Sequence, residues 1–257
     1  MDIILNDLST GYHSRKSTHR VACGLSATLH SGQLTSLLGS NGVGKSTLLK
    51  TMTALLPPLH GDIIFGDRNI GDITPKELAQ TVSVVLTERP AMQGLTVREV
   101  VALGRAPYTG FFGTLSEQDE EIVSAAIEQV AISSLTCRMA HTLSDGERQK
   151  VMIAKALAQD TPIIILDEPT AFLDFGTKVD TLLLLRRLAH DTNKAILLST
   201  HDVELALQCS DGLWLMNREG IIVGSPRQLA TDGTLSTFFD YEGIAFEPNT
   251  MRFQVKR

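Results

Sequence analysis

Leu34-Thr-Ser-Leu-Leu-Gly-Ser-Asn-Gly-Val-Gly-Lys-Ser46 reads as a short apolar strand, Leu34–Leu38, that runs straight into a glycine loop and then into a helix beginning at Lys45. The glycines let the backbone N–H groups of Gly39, Ser40, Asn41, Gly42, Val43 and Gly44 turn toward phosphate oxygens. The helix start at Ser46 and Thr47 adds the positive end of its dipole. Lys45 can reach the β- and γ-phosphates of a nucleotide, and the Ser46 hydroxyl can ligate Mg²⁺. A chance match to Gly-x-x-x-x-Gly-Lys-Ser arises in on the order of one per cent of chains this long. The strand–loop–helix setting lowers that chance further, so this is read as a phosphate-binding loop on an α/β fold.

A second stretch supplies the acids such a site needs. Ile163-Ile-Ile-Leu-Asp167-Glu168 is an apolar strand ending in two carboxylates. A carboxylate at the C-terminal end of a parallel strand faces the crevice where ligands bind. Asp167 is expected to hold Mg²⁺, directly or through water, and Glu168 to accept a proton from an attacking water. Alone, an acidic pair after a strand is more often a helix cap. In one chain with the glycine loop it becomes the second half of a nucleotide site.

The remainder fits a single α/β domain. The chain has 257 residues, 43% of them hydrophobic, and a mean hydropathy near zero, the profile of a globular protein with a buried core. A net charge of −6 argues against a nucleic-acid binder held by bulk electrostatics. No segment approaches the ~18 to 20 apolar residues needed to span a bilayer. The start, Met1-Asp-Ile-Ile-Leu-Asn-Asp7, lacks the basic region of a signal peptide. Cys23, Cys137 and Cys209 are scattered without metal-like spacing and fit buried thiols in a reducing compartment.

Strands are expected over residues 3–8, 25–29, 63–65 and 83–86, and a helix over 45–55 stopped by Pro57-Pro58. Residues 97–103 read as helical and 107–113 as a loop. Ser116-x-x-Asp119 can cap a helix whose Ile122, Val123, Ala126, Ile127 and Val130 share one face. Alternation then resumes with Ile163–Leu166, a helix near 177–190, Ala195–Ser199 and a strand at 213–216. That pattern implies a mostly parallel sheet covered on both faces. Beyond Pro226 lies a small appendage without a motif.

Leu143-Ser-Asp-Gly-Glu147 precedes the acidic strand. By itself it is a capping box, with Ser144 as N-cap, Glu147 at the third helical position and an alanine-rich helix to Ala158. A capped helix N-terminus is also an anion site, so a functional reading and a structural one can hold together. In order with the two stretches above, it resembles the signature of ABC-family ATPases, usually Leu-Ser-Gly-Gly-Gln, and the resemblance covers nearly the whole chain. It implies a P-loop NTPase with a RecA-like core, an N-terminal antiparallel β subdomain and an inserted α-helical subdomain. On that pattern, 1–257 form one ABC ATPase domain: 1–87 and 159–225 the nucleotide-binding core, 88–158 the helical signature subdomain, and 226–257 the C-terminal appendage. It further implies a head-to-tail homodimer in which Leu143, Ser144, Asp145, Gly146 and Glu147 of one copy cap the γ-phosphate held by the other. Tyr12 falls at the adenine-stacking aromatic. Ala171-Phe-Leu-Asp174 matches the D-loop at the dimer interface, and His201, in Ser-Thr-His-Asp, matches the switch histidine that contacts the γ-phosphate.

Two departures from the family pattern stand out. Its Q-loop glutamine should fall within Val84-Val-Leu-Thr87-Glu88, where Thr87 takes its place. Threonine offers an oxygen to Mg²⁺ or water but reaches less far, and Glu88 is the alternative substitute. Asp145 replaces the first signature glycine; it favours a helix N-terminus yet opposes a nearby γ-phosphate unless turned away.

Gly94-Leu-Thr-Val-Arg-Glu-Val-Val-Ala-Leu-Gly-Arg-Ala-Pro-Tyr108 resembles the Thr-Val-Arg-Glu…Gly-Arg-x-Pro pattern of importer ATPases for iron–siderophore, haem and cobalamin. The resemblance implies an ATP-hydrolysing subunit using Mg²⁺, peripheral to the cytoplasmic side of the inner membrane. Its partners would be two transmembrane permease subunits and an extracytoplasmic substrate-binding protein acting through them, with no nucleic acid. An importer ATPase for another solute, or a P-loop ATPase outside transport, is the alternative. A GTPase needs Asn-Lys-x-Asp, and Asn193-Lys-Ala-Ile196 lacks the aspartate. ABC proteins acting on DNA or ribosomes carry a long coiled coil or a tandem domain, and exporter halves are fused to a membrane domain; the chain has neither.

Overall fold

The computed structural model describes residues 1–13, 17–87, 92–110, 113–239, 244–248 and 250–255. Strands β1 (Ile3–His13) and β2 (Thr18–Leu29) pair antiparallel and run longer than the sequence pattern suggests. Register shifts between Leu5 and Leu8 and again around Thr10 break the period of two that marks a strand in sequence. Strand β3 (Leu34–Leu38), buried at every position, leads into helix α1 (Lys45–Met52). That helix stops before the prolines, because the Thr53 hydroxyl donates to Leu49 O and Lys50 O and Ala54 turns left-handed with φ 54°.

Strands β4 (His60–Phe65) and β5 (Arg68–Asn69) complete a four-stranded antiparallel sheet in the order β2-β1-β4-β5. Helix α2 (Pro75–Thr81), absent from the expected elements, starts on a full capping box of Thr74 and Glu77 with Pro75 in its first turn. Then come β6 (Val82–Val85), α3 (Val97–Ala102), α4 (Glu117–Gln129), α5 (Asp145–Ala158) and β7 (Ile163–Leu166). The chain continues through α6 (Phe175–Thr192), β8 (Ala195–Ser199), α7 (Val203–Cys209), β9 (Gly212–Met216) and β10 (Ile221–Gly224). It closes with α8 (Pro226–Thr231), α9 (Thr234–Phe238) and a hairpin of β11 (Ile244–Glu247) and β12 (Arg252–Val255).

The main sheet has the order β10-β9-β3-β8-β7-β6 and is parallel except for β10. Strand β8 therefore lies between β3, which feeds the glycine loop, and β7, which carries the acids. All three strands end at one edge, where open parallel sheets bind ligands.

Helices α3, α4 and α5 form the block inserted between β6 and β7. Each begins with a full capping box: Thr96 with Glu99, Ser116 with Asp119, and Ser144 with Glu147. Each cap stabilises its helix by about 1 kcal/mol. Val101, Val123, Ile127 and Val151 pack in one cluster that reaches the sheet through Ile164 and Leu198. Arg105 is buried and ties the block together. It donates to Asp119 Oδ1 at 2.8 Å and Ala158 O at 2.9 Å, and its guanidinium lies 4.0 Å from the Tyr108 ring centroid. The Gly-Arg-x-Pro part of the importer-like segment thus joins the start of α4 to the end of α5.

The appendage packs Leu229, Leu235, Phe239 and Phe246 against Leu38, Leu213 and Leu215 of the sheet. No helix among the described residues is long and apolar enough to cross a membrane. The architecture is the expected α/β core with an antiparallel N-terminal sheet and a helical insertion.

Candidate functional site

The glycine loop bends out of β3 and back into α1. Gly44 sits at φ 115°, a conformation L side chains rarely adopt, and it sets the first turn of α1. Lys45 is buried, and its Nζ donates to Gly39 O at 2.9 Å and Ser40 O at 3.4 Å. Burial pushes the ammonium pKa down, and the charges of Glu168 and Asp167 oppose that shift. The lysine therefore shares a field with both acids of the second stretch.

Asp167 Oδ1 accepts hydrogen bonds from Ser46 Oγ at 3.2 Å and from Ser199 Oγ at 2.7 Å. Its backbone is held as well: its carbonyl accepts from Thr87 Oγ1 at 2.8 Å, and its N–H donates to Val85 O at 2.8 Å. Glu168 follows at φ 49°, a left-handed conformation costing a glutamate on the order of 1 kcal/mol. Its N–H donates to Ser199 Oγ at 2.9 Å. The turn carries the Glu168 carboxylate to His201, whose Nε2 lies 2.8 Å from Oε1.

At the other end of the loop, Tyr12 of β1 brings its hydroxyl to 3.2 Å from Thr47 Oγ1 while its ring stays 46% exposed, open to a planar partner. Glu147 accepts from Ser144 N–H and the Ser144 hydroxyl, and Arg138 Nη1 donates to it at 2.9 Å. The bonds from Ser144 hold its carboxyl below the ordinary range. Leu143 is buried in the helical block. A Cβ on Gly146 would lie 2.9 Å from Thr177 Cγ2, so only glycine lets the start of α5 approach α6 this closely. Asp174 caps α6 through Thr177 N–H and the Thr177 hydroxyl, the hydroxyl bond at 2.6 Å being the first cause of its lowered pKa. Thr177 thereby touches the signature segment and the Asp174 loop within one chain. Asp145, Arg148 and Gln149 line a cleft of about 50 Å³ together with Thr87, Asp167 and Glu168.

Residues 23–171, which span both halves of this site, match the ABC transporter family. The chain belongs to that family. It is 39% identical, over 97% of its length and 85% of the other's, to an uncharacterized ABC transporter ATP-binding protein of Methanocaldococcus jannaschii. It is 33% identical to the iron(3+)-hydroxamate import ATP-binding protein FhuC of Bacillus subtilis, over 96% of this chain and 93% of that one. Among solved structures it superposes on an ABC transporter assigned to the metal-chelate type, in an inward-facing conformation. That match has a TM-score of 0.78 at 26% identity, over 92% of this chain and 88% of the other. As an ABC ATPase, it hydrolyses ATP.

In this ABC ATPase the Ser46 hydroxyl and the Asp167 carboxylate are hard oxygen donors 3.2 Å apart. Asp167 Oδ2 accepts no hydrogen bond among the described residues. That donor set suits Mg²⁺, which takes one or two protein oxygens and completes its octahedron with phosphates and water. No group of three or more His, Cys, Asp or Glu side chains among the described residues could hold a metal alone.

The structure thus gathers Lys45, Ser46, Asp167, Glu168 and His201 around one strand edge, with Tyr12 by the start of α1. Thr87 is tied to the backbone of Asp167, and Glu88 lies outside the described residues. One residue at the centre of this network, Ser199, opens the Ser-Thr-His-Asp stretch, but the sequence gives a part there only to His201, because a serine ending an apolar strand looks like any other.

Proposed function

We propose that this ABC ATPase powers uptake of a metal chelate (an iron–siderophore, haem or cobalamin) through a separate membrane permease. The observation that carries the reading is the hydrogen-bonded set Ser46–Asp167–Glu168–His201 beneath the glycine loop, in a chain similar to an iron(3+)-hydroxamate import ATPase. The 94–108 segment and the metal-chelate type structural neighbour support the choice of cargo.

Two copies bind two ATP molecules at a shared interface. Gly39, Ser40, Asn41, Gly42, Val43, Gly44 and Thr47 cradle the phosphates, and Tyr12 stacks on adenine. Leu143, Ser144, Asp145, Gly146 and Glu147 of the partner copy complete each site, with Asp174 at the seam. Ser46 and Asp167 would hold Mg²⁺, which would supply charge neutralisation at the phosphates. Water attacks the γ-phosphorus in line, the bond to the bridging oxygen of ADP breaks, and Glu168 takes the water's proton. Lys45 and His201 stabilise charge on the γ-phosphoryl oxygens.

We take 1–87 and 159–225 as the nucleotide-binding core, 88–158 as the helical signature subdomain and 226–257 as the appendage. Closure of the helical subdomains switches two permease subunits between access states. An extracytoplasmic binding protein delivers the chelate, and the ATPase sits peripherally at the cytoplasmic face of the inner membrane. The test is ATPase turnover and uptake in vesicles holding candidate permeases. Stimulation by a metal-chelate permease with its loaded binding protein is the expected result. Stimulation only by a permease for another solute would overturn the cargo assignment.

A further inference from the structure

We infer that Ser199 is a positioning residue for ATP hydrolysis, its single hydroxyl setting the direction of both acids of the site; this rests on Asp167 serving Mg²⁺ and Glu168 serving the water. Ser199 is the last residue of β8 and is fully buried between the loop strand β3 and the acidic strand β7. Its position pairs with Leu37 on β3.

A hydroxyl has one proton to give. Here it goes to Asp167 Oδ1 at 2.7 Å, while the same oxygen accepts the Glu168 N–H at 2.9 Å. Because one atom makes both bonds, the carboxylate of Asp167 and the backbone of Glu168 cannot turn independently. Two consequences follow for the chemistry. Oδ1 is engaged by Ser199 and Ser46, which leaves Oδ2 to face a cation. The bond from its N–H also holds Glu168 at φ 49°, the turn that directs its carboxylate toward His201. An alanine would fill most of the same space and orient neither acid. A buried serine with a merely structural part would not change how the site binds a divalent ion.

The test uses the full chain with Ser199→Ala and Ser199→Cys, the thiol being close in size and a weaker donor. Readouts are kcat and KM for MgATP, and binding of Mn²⁺ in the presence of ADP followed by electron paramagnetic resonance. Ser199→Ala should lower kcat and Mn²⁺ affinity each by about 10-fold or more, with KM for ATP within about two-fold of the parent. Ser199→Cys should fall between, and it carries the test should the alanine variant not fold. Mn²⁺ affinity and kcat within about two-fold of the parent, in whichever variant folds, would overturn the inference. Glu168→Gln measured alongside separates the two claims. Parent-like hydrolysis there defeats the assignment of the base, whereas its loss beside a parent-like Ser199→Ala defeats only the role of Ser199.

Discussion

His201 Nε2 and Glu168 Oε1 stand 2.8 Å apart, so the histidine that follows β8 and the acid that follows β7 meet side chain to side chain. Glu168→Gln keeps the size of the side chain and an oxygen for His201 but removes the proton acceptor. Hydrolysis is expected to fall by about 100-fold or more, while ATP affinity is retained and an ATP-bound dimer accumulates. Turnover assays together with size-exclusion chromatography in ATP check both halves. Parent-rate hydrolysis would remove Glu168 from the role of base.

Lys45 presents a different balance. Its ammonium is buried against loop carbonyls, and that burial lowers its pKa against the opposing charges of Glu168 and Asp167. Hydrogen bonds from a charged donor contribute about 1.5–3 kcal/mol, so Lys45→Ala should weaken ATP binding by roughly 10- to 100-fold. Isothermal titration calorimetry reads this directly, and unchanged affinity would show that the lysine does not contact the nucleotide.

The glycine loop, the acidic strand and the capped helices are legible in sequence because each is a local pattern whose spacing is set by one turn or one strand. Ser199 is not, since its part depends on β3, β7 and β8 lying side by side, and these strands are far apart in the chain. Strand β10 holds a three-residue apolar run, Ile221-Ile-Val223, too short for periodicity to mark it as a strand, and at the sheet edge its Ile222 and Val223 stay exposed. Helix α2 shows the opposite case: Thr74-Pro75-x-Glu77 states its start, but a helix with no buried residue lacks an apolar stripe to confirm it. Thr87 is the residue whose alignment with a family position says least, because its hydroxyl is spent on the carbonyl of Asp167.

The tie between α4 and α5 makes a pH-dependent prediction. Hydrogen bonds from Ser116, and then from Arg105, hold the Asp119 carboxyl at about 2. An unfolded aspartate titrates near 3.9, at about pH 4. The folded value is the lower one, so this group stabilises the fold above about pH 4 and loses that contribution as pH falls toward 2. Asp119→Asn should therefore flatten the acid limb of stability between pH 4 and 2, measured by urea unfolding. Arg105→Ala, which strands a buried partner, should lower Tm at neutral pH by on the order of 10 °C.

Phe172 and Phe175 flank Asp174 and are 74% and 72% exposed. Two large, mostly exposed rings beside the loop proposed to lie at the seam between copies offer apolar area that a second copy can cover. Burying one such ring stabilises an interface by roughly 1.5–3 kcal/mol, so Phe172→Ala should weaken the ATP-dependent dimer of Glu168→Gln by about 10- to 100-fold. Sedimentation velocity across a range of concentrations measures this, with ATP affinity of the monomer unchanged because neither ring lines the glycine loop. Phe175→Ala should behave alike if the two rings enter the same interface. A dimer indifferent to both substitutions would mean that the rings face a different partner, and the permease surface would then be the next to test.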